Sequence, residues 1–205
     1  MYSANYSGGV IVVIAQTKLP NLTPDEYRAM EETAEERHEY CDGEIITMPG
    51  GSPIHSRITV DITTFLNLAL RDTNFQTYNN DLRIWIPHFN HGTYADVLVI
   101  NGEPEFNSNR TDEILNPLLI IEVLSPSTEG YDPGEKFRKY RSVPSFCEYL
   151  LVSQTEPYVE QYHKLELQNN ERWEWQVYDR IAQLVVLHSL NVELPMTEIY
   201  RRLKI

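Results

Sequence analysis

Two acidic side chains stand where apolar ones are expected. Glu122 interrupts the run LLIIEVL at Leu118–Leu124, and Asp96 interrupts TYADVLVI at Thr93–Ile100. A short run rich in Ile, Leu and Val reads as a strand buried on both faces. An ionised carboxylate there is costly, so it must shift its pKa, find a partner or bind a metal. If the two strands pair, both carboxylates leave the sheet at one edge and repel each other. A divalent cation relieves that repulsion, and oxygen ligands with positions left for water suit Mg2+ or Mn2+. Such an ion orients a phosphodiester, lowers the pKa of a bound water and offsets charge on the leaving oxygen. Lys136, at the start of the next helix, is placed to steady charge developing on phosphorus. The structural alternative is that each acid bonds neighbouring backbone or pairs with Arg83 or Lys136. Residue types alone leave both readings open.

The elements around these residues decide what they can reach. Ser-Pro-Ser-Thr after Leu124 stops the strand, so Glu122 sits near its carboxyl end, where α/β sheets place their sites. Asp132 caps the following helix, Pro133 opens it, Glu135 holds the capping-box position and Val143-Pro144 closes it. Lys136 and Tyr140 share one face, and Lys139 lies on a neighbouring one. Upstream, Thr23-Pro-Asp-Glu26 opens a helix to about Arg37 with an acidic, solvated outer face. HEYCDGEIITMPG reads as a hairpin turned at Asp42-Gly43, with Glu39 and Glu44 on its arms. Most such glutamates face solvent; Glu44 has the alternative of pointing toward Glu122. Ser52-Pro53 starts a second helix, striped by Ile58, Ile62, Phe65, Leu66 and Ala69. His55 falls in its first turn, either a surface residue or a neutral donor or ligand. Phe75–Pro87 reads as a strand with an irregularity at Asn79-Asn80. CEYLLVSQ is another strand, followed by an antiparallel meander (Pro157–Leu165, Arg172–Tyr178, Gln183–His188) and a closing helix over Pro195–Leu203.

Length and composition set the bounds. The 205 residues suggest an N-terminal extension over 1–22, with one short strand at Val10–Ile14, and a single domain over 23–205. A net charge of −13 argues against long-range steering toward nucleic acid, so a metal or a local basic patch must bridge to phosphates. No apolar run approaches a membrane span, and the start lacks the basic region of a signal peptide. Cys41 and Cys147 are too few for a disulfide framework, and two reduced thiols imply a cytoplasmic protein.

Asp96, then EVLSPST at Glu122–Thr128, then Asp132-x-x-x-Lys136-x-x-x-Tyr140, then EYLLVS, resemble the Uma2 family (DUF820), abundant in cyanobacteria. EYCDGEIITMP, the histidine-led helix at His55 and LPMTEIYRRL extend the resemblance over most of the chain, roughly Leu22 to Leu203. Uma2 proteins are similar to the PD-(D/E)XK nucleases. The resemblance implies a restriction-endonuclease-like α/β fold, a mixed sheet flanked by helices, with the antiparallel meander at the C-terminal end. It also implies metal-dependent hydrolysis of nucleic acid, with DNA the expected substrate; a further reading, an interaction subunit acting as a homodimer, is compatible with this. Asp96 and Glu122 take the acidic positions of the motif, and the carbonyl of Val123 becomes a further metal ligand. The motif's lysine position holds Leu124. Either Lys136 has taken over that duty from the next helix, with Lys139 the weaker candidate, or the chain is a lapsed nuclease serving as a binding or regulatory module.

Overall fold

The computed structural model describes residues 21–48, 50–124, 133–165 and 171–203. The expected strand at Val10–Ile14, the SPST turn and Asp132 lie outside them.

Thr23 caps α1 (Pro24–Glu31): its hydroxyl accepts the Glu26 N–H at 3.3 Å, and Glu26 accepts the Thr23 N–H at 2.8 Å. The helix stops well short of Arg37. The stretch beyond it has no apolar stripe to bury, and Glu31 instead accepts bonds from the His38 N–H and the Tyr94 hydroxyl. The hairpin of β1 (His38–Cys41) and β2 (Glu44–Thr47) turns at Asp42 and Gly43, with φ of 47° and 100°. Positive φ at both central residues is what a type I′ turn demands.

Two strands expected to be continuous are each divided between two sheets. Phe75–Pro87 becomes β3 (Phe75–Asn79) and β4 (Arg83–Ile86), broken beside the Asn79-Asn80 irregularity. Thr93–Ile100 becomes part of β5 (His91–Tyr94) and of β6 (Val97–Asn101). Asp96 therefore stands at a corner between sheets rather than inside a ladder. With β7 (Glu113–Ile114), the smaller sheet runs β2-β1-β5-β4-β7. The larger sheet adds β8 (Leu119–Leu124), β9 (Glu148–Ser153), β10 (Val159–Leu165) and β11 (Arg172–Tyr178), in the order β11-β10-β9-β8-β6-β3. Its β8 and β9 are parallel, joined across α3 (Pro133–Tyr140) as a parallel pair requires. The meander is β9-β10-β11; β12 (Leu184–Leu187) and β13 (Val192–Pro195) form a separate hairpin leading into α4 (Met196–Ile199), shorter than its expected span.

Strand alternation sends the larger sheet's residues to two cores. Val97, Val99, Leu119, Ile121, Val123, Leu150 and Val152 pack on α2 (Pro53–Ala69) through its Ile58, Ile62 and Leu66, and on Met196 and Ile199 of α4. Each such fully buried aliphatic side chain contributes roughly 1.5–3 kcal/mol relative to exposure. On the opposite face Leu98, Ile100, Ile120, Tyr149 and Leu151 meet Tyr140, Val143 and Phe146, with Ile84, Ile86 and Ile114 of the smaller sheet. Glu122 shares this second face with Ile120, two residues earlier on the same strand.

Candidate active site

The β6–β8 register pairs Val99 with Leu119, Leu98 with Ile120 and Val97 with Ile121. One further step along the same register sets Asp96 against Glu122. There the ladder gives way to side-chain bonds. Asp96 Oδ2 accepts the Val123 N–H at 2.7 Å and lies 3.1 Å from His55 Nε2. A strand residue's N–H and C=O face the same neighbouring strand, so the Val123 carbonyl faces the Asp96 side as well. Ser52 caps α2 by accepting the His55 N–H at 3.1 Å, which fixes the turn that brings His55 to Asp96.

Glu122 is met from the other side by α3. Its Oε1 accepts from Lys136 Nζ at 3.2 Å and from the Tyr140 hydroxyl at 3.0 Å, as the shared helix face predicts. Lys136 also lies 3.1 Å from Oε1 of Glu39, which accepts the Thr93 hydroxyl at 2.7 Å. Glu39 is the residue that sequence reasoning missed. It is 4% exposed and turns inward from β1, toward α3. Glu44 is exposed at the head of β2, opposite Cys41. Lys139, also buried, donates to Cys41 Sγ at 3.2 Å. The structure thus brings together Asp96, Glu122, Val123, Lys136, His55 and Tyr140.

The electrostatics follow from burial. Glu122, its side chain 13% exposed, is pushed up to about 7 by burial, against Lys136 and with Asp96 and Glu39 adding repulsion. Burial opposes the charge on Lys136, yet Glu122 and Glu39 hold its ammonium well above the usual lysine range. Burial likewise works against Glu39, but Lys136 and Thr93 keep it below the usual carboxylate range. The bond to Asp96 raises His55, against its burial.

Arg83, the other partner the sequence allowed for these acids, is taken up elsewhere, 2.6 Å from Asp112 and 3.4 Å from Glu113.

No three His, Cys, Asp or Glu side chains among the described residues form a ready-made cage for a metal. The donors on offer are two carboxylates and one carbonyl, all hard oxygen. Among the described residues, Asp96 Oδ1 and Glu122 Oε2 take no hydrogen bond. This set fits Mg2+ or Mn2+, which keep several waters, better than it fits zinc.

Comparison with known proteins gives the fold and the family. A crystal structure described as a putative nuclease belonging to DUF820, from Anabaena variabilis, superposes with a TM-score of 0.68 at 21% identity, covering 88% of this chain and 98% of that one. The likeness shows a shared restriction-endonuclease-like fold. Two uncharacterized proteins of Synechocystis sp. are similar in sequence: sll1609 is 41% identical over 76% of this chain and 86% of its own, and slr1290 is 38% identical over 90% and 94%. The Uma2 family model, described as "Putative restriction endonuclease", matches residues 24–197, and the chain belongs to that family.

Proposed function

We propose that this protein is a nuclease that hydrolyses phosphodiester bonds, with DNA as substrate and Mg2+ or Mn2+ as cofactor. The observation that carries the reading is the β6–β8 register, which sets Asp96 against Glu122 at one sheet corner with Lys136 bonded to Glu122. Asp96, Glu122 and the Val123 carbonyl would hold the cation. When bound, it would supply a polarised phosphate and a more acidic water. Lys136 keeps its ammonium charged and sits where negative charge on the phosphate would build. Glu39 and Thr93 fix that ammonium from the smaller sheet, and Tyr140 fixes the Glu122 carboxylate. Asp96 fixes the ring of His55, which reaches the site as a further polar group. The migrated-lysine reading gains support from Lys136, because Leu124 occupies the motif position and offers no charge. Asp132, four positions before Lys136 in the motif, is proposed as an additional member of the site.

A homodimer in the cytoplasm is the proposed working form. The outer edge of β11 has no strand beside it among the described residues, and Trp175 is 58% exposed there. No described helix is long and apolar enough to cross a membrane.

The test is cleavage of single- and double-stranded DNA with Mg2+ or Mn2+, against EDTA and against Glu122→Gln. Metal-dependent cleavage lost in the variant is the expected result; cleavage that persists unchanged in the variant overturns the assignment. The lapsed-module reading is favoured by Leu124 and by the engagement of Lys136 with both Glu39 and Glu122. It predicts no cleavage with any of these metals.

A further inference from the structure

The second core contains a hydroxyl with no hydrogen-bond partner among the described residues. Tyr149 is 1% exposed, and its OH is fully buried without a hydrogen-bond partner. A buried donor left unsatisfied costs about 1–3 kcal/mol, and such groups recur where a ligand or a second arrangement completes the bond. Its position is specific. Tyr149 pairs with Ile120 on the adjacent parallel strand, so it shares the face from which Glu122 projects one pleat further on. Its ring stacks on Phe137 at 5.9 Å and meets Tyr140 edge-on at 5.6 Å, so it packs against the residue following Lys136 and the one donating to Glu122. Burial, then the nearby charge of Glu122, holds its hydroxyl well above the usual tyrosine range.

Glu122 carries two bonds on one oxygen, from Lys136 and from Tyr140. A divalent cation and an ammonium compete for the same carboxylate charge. Lys136 retains Glu39 when that competition goes against it, because Glu39 approaches from the smaller sheet and is itself anchored by Thr93. The carboxylate then loses one of its donors at the moment its orientation matters most.

We infer that Tyr149 is a positioning residue for the cation site, its hydroxyl donating to Glu122 in the metal-bound state and idle in the metal-free one. The inference rests on the proposed cation-binding role of Asp96 and Glu122. Donors that orient a ligating carboxylate are worth about 10- to 100-fold in metal affinity. Tyr140 differs, since its donor bond already exists without metal.

The experiment is Mn2+ titration by calorimetry, paired with thermal melting in EDTA, on wild type, Tyr149→Phe, Tyr140→Phe and Glu122→Gln. The expected result for Tyr149→Phe is Mn2+ affinity about 10-fold weaker or more, with a metal-free melting temperature equal to or above wild type. Tyr140→Phe is expected to lower the metal-free melting temperature. Wild-type Mn2+ affinity in Tyr149→Phe overturns the inference and leaves the cation site standing. A lowered metal-free melting temperature in Tyr149→Phe also overturns it, by making the hydroxyl structural. Absence of Mn2+ binding to wild type at millimolar concentration, or its survival in Glu122→Gln, overturns the cation site itself and the inference with it.

Discussion

Replacing Glu122 with Gln should make the metal-free protein more stable at alkaline pH while abolishing the proposed metal-dependent cleavage. The shape is kept, but the ionisable acid is gone. In the folded chain burial pushes this acid up to about 7, from 4.5 when exposed. An acid raised on folding opposes stability because it ionises first in the unfolded chain: its contribution is neutral below about 4.5, turns unfavourable as pH climbs from there, and is fully unfavourable above about 7. A tenfold change in acidity corresponds to about 1.4 kcal/mol, so the full penalty is on the order of 3 kcal/mol above pH 8. The attraction of Lys136 is already contained in that value, so the amide gains up to about 3 kcal/mol. For a chain of this length that is roughly 6–12 °C in Tm. The assay is thermal melting in EDTA at pH 5 and pH 8, with Mn2+ added in a parallel series. The variant should gain on wild type as pH rises from 5 to 8. Mn2+ should then raise the wild type alone, by the linkage between binding and folding. A difference between variant and wild type that does not change with pH would refute the claim that Glu122 is held at a cost.

Two other substitutions test the surrounding layer. His91 is 1% exposed and is pushed down to about 4 by burial and by Lys139 beside it. A histidine lowered on folding supports the fold above about 6.5 and loses that support as pH falls toward 4, up to roughly 3 kcal/mol. His91→Gln should therefore flatten the acid limb of the stability profile. Urea unfolding at pH 4.5 and 7 in the Glu122→Gln background isolates the effect, and an unchanged limb counts against it. Lys136→Met should cost about 3–5 kcal/mol by leaving buried acids facing each other without their cation. Adding Glu39→Gln should restore part of that loss, measured by urea unfolding; full additivity of the two changes would mean that the residues are not coupled.

Much of this site was legible in the sequence because burial makes charge conspicuous. Glu122 and Asp96 were visible as acids in oily runs, and the i, i+4 spacing of Lys136 and Tyr140 set both on the face that reaches Glu122. His55 was visible only as a helix-start residue; its bond to Asp96 depends on α2 packing over the corner of β6 and β8. Glu39 was not legible. Its strand alternates like any half-exposed hairpin, and only the packing of β1 against α3 shows that the Glu39 side faces inward. The corner at Ala95-Asp96 was hidden for a related reason. TYADVLVI has the composition of one strand, and what breaks it is the Val123 N–H donating to a carboxylate in place of a ladder partner. Tyr149 carries no sequence signal either, since an orphaned hydroxyl exists only once its neighbours are in place.

Two buried carboxylates of this chain meet different surroundings. Glu113 is fully buried, and three guanidinium groups surround it: Arg28 at 2.9 and 3.0 Å, Arg83 at 3.4 Å and Arg110 at 3.5 Å. Asp112 shares Arg83 and Arg110, and Asp25 shares Arg28, so positive and negative charge balance there. The layer at Glu122 is met by fewer cations. Glu122 and Glu39 converge on Lys136, and Asp96 meets His55. Once Glu122 ionises, even a protonated His55 leaves the acids in excess. A fold that needed only a stable polar layer would have met Glu122 as it met Glu113. An excess of buried negative charge at one sheet corner is stable when a mobile cation supplies the balance, and it makes the corner attractive to a phosphate only while that cation is bound. That condition offers an account of how a chain with net charge −13 can be drawn to a polyanion: the attraction is local, carried by the metal, and should vanish with chelation rather than with salt alone.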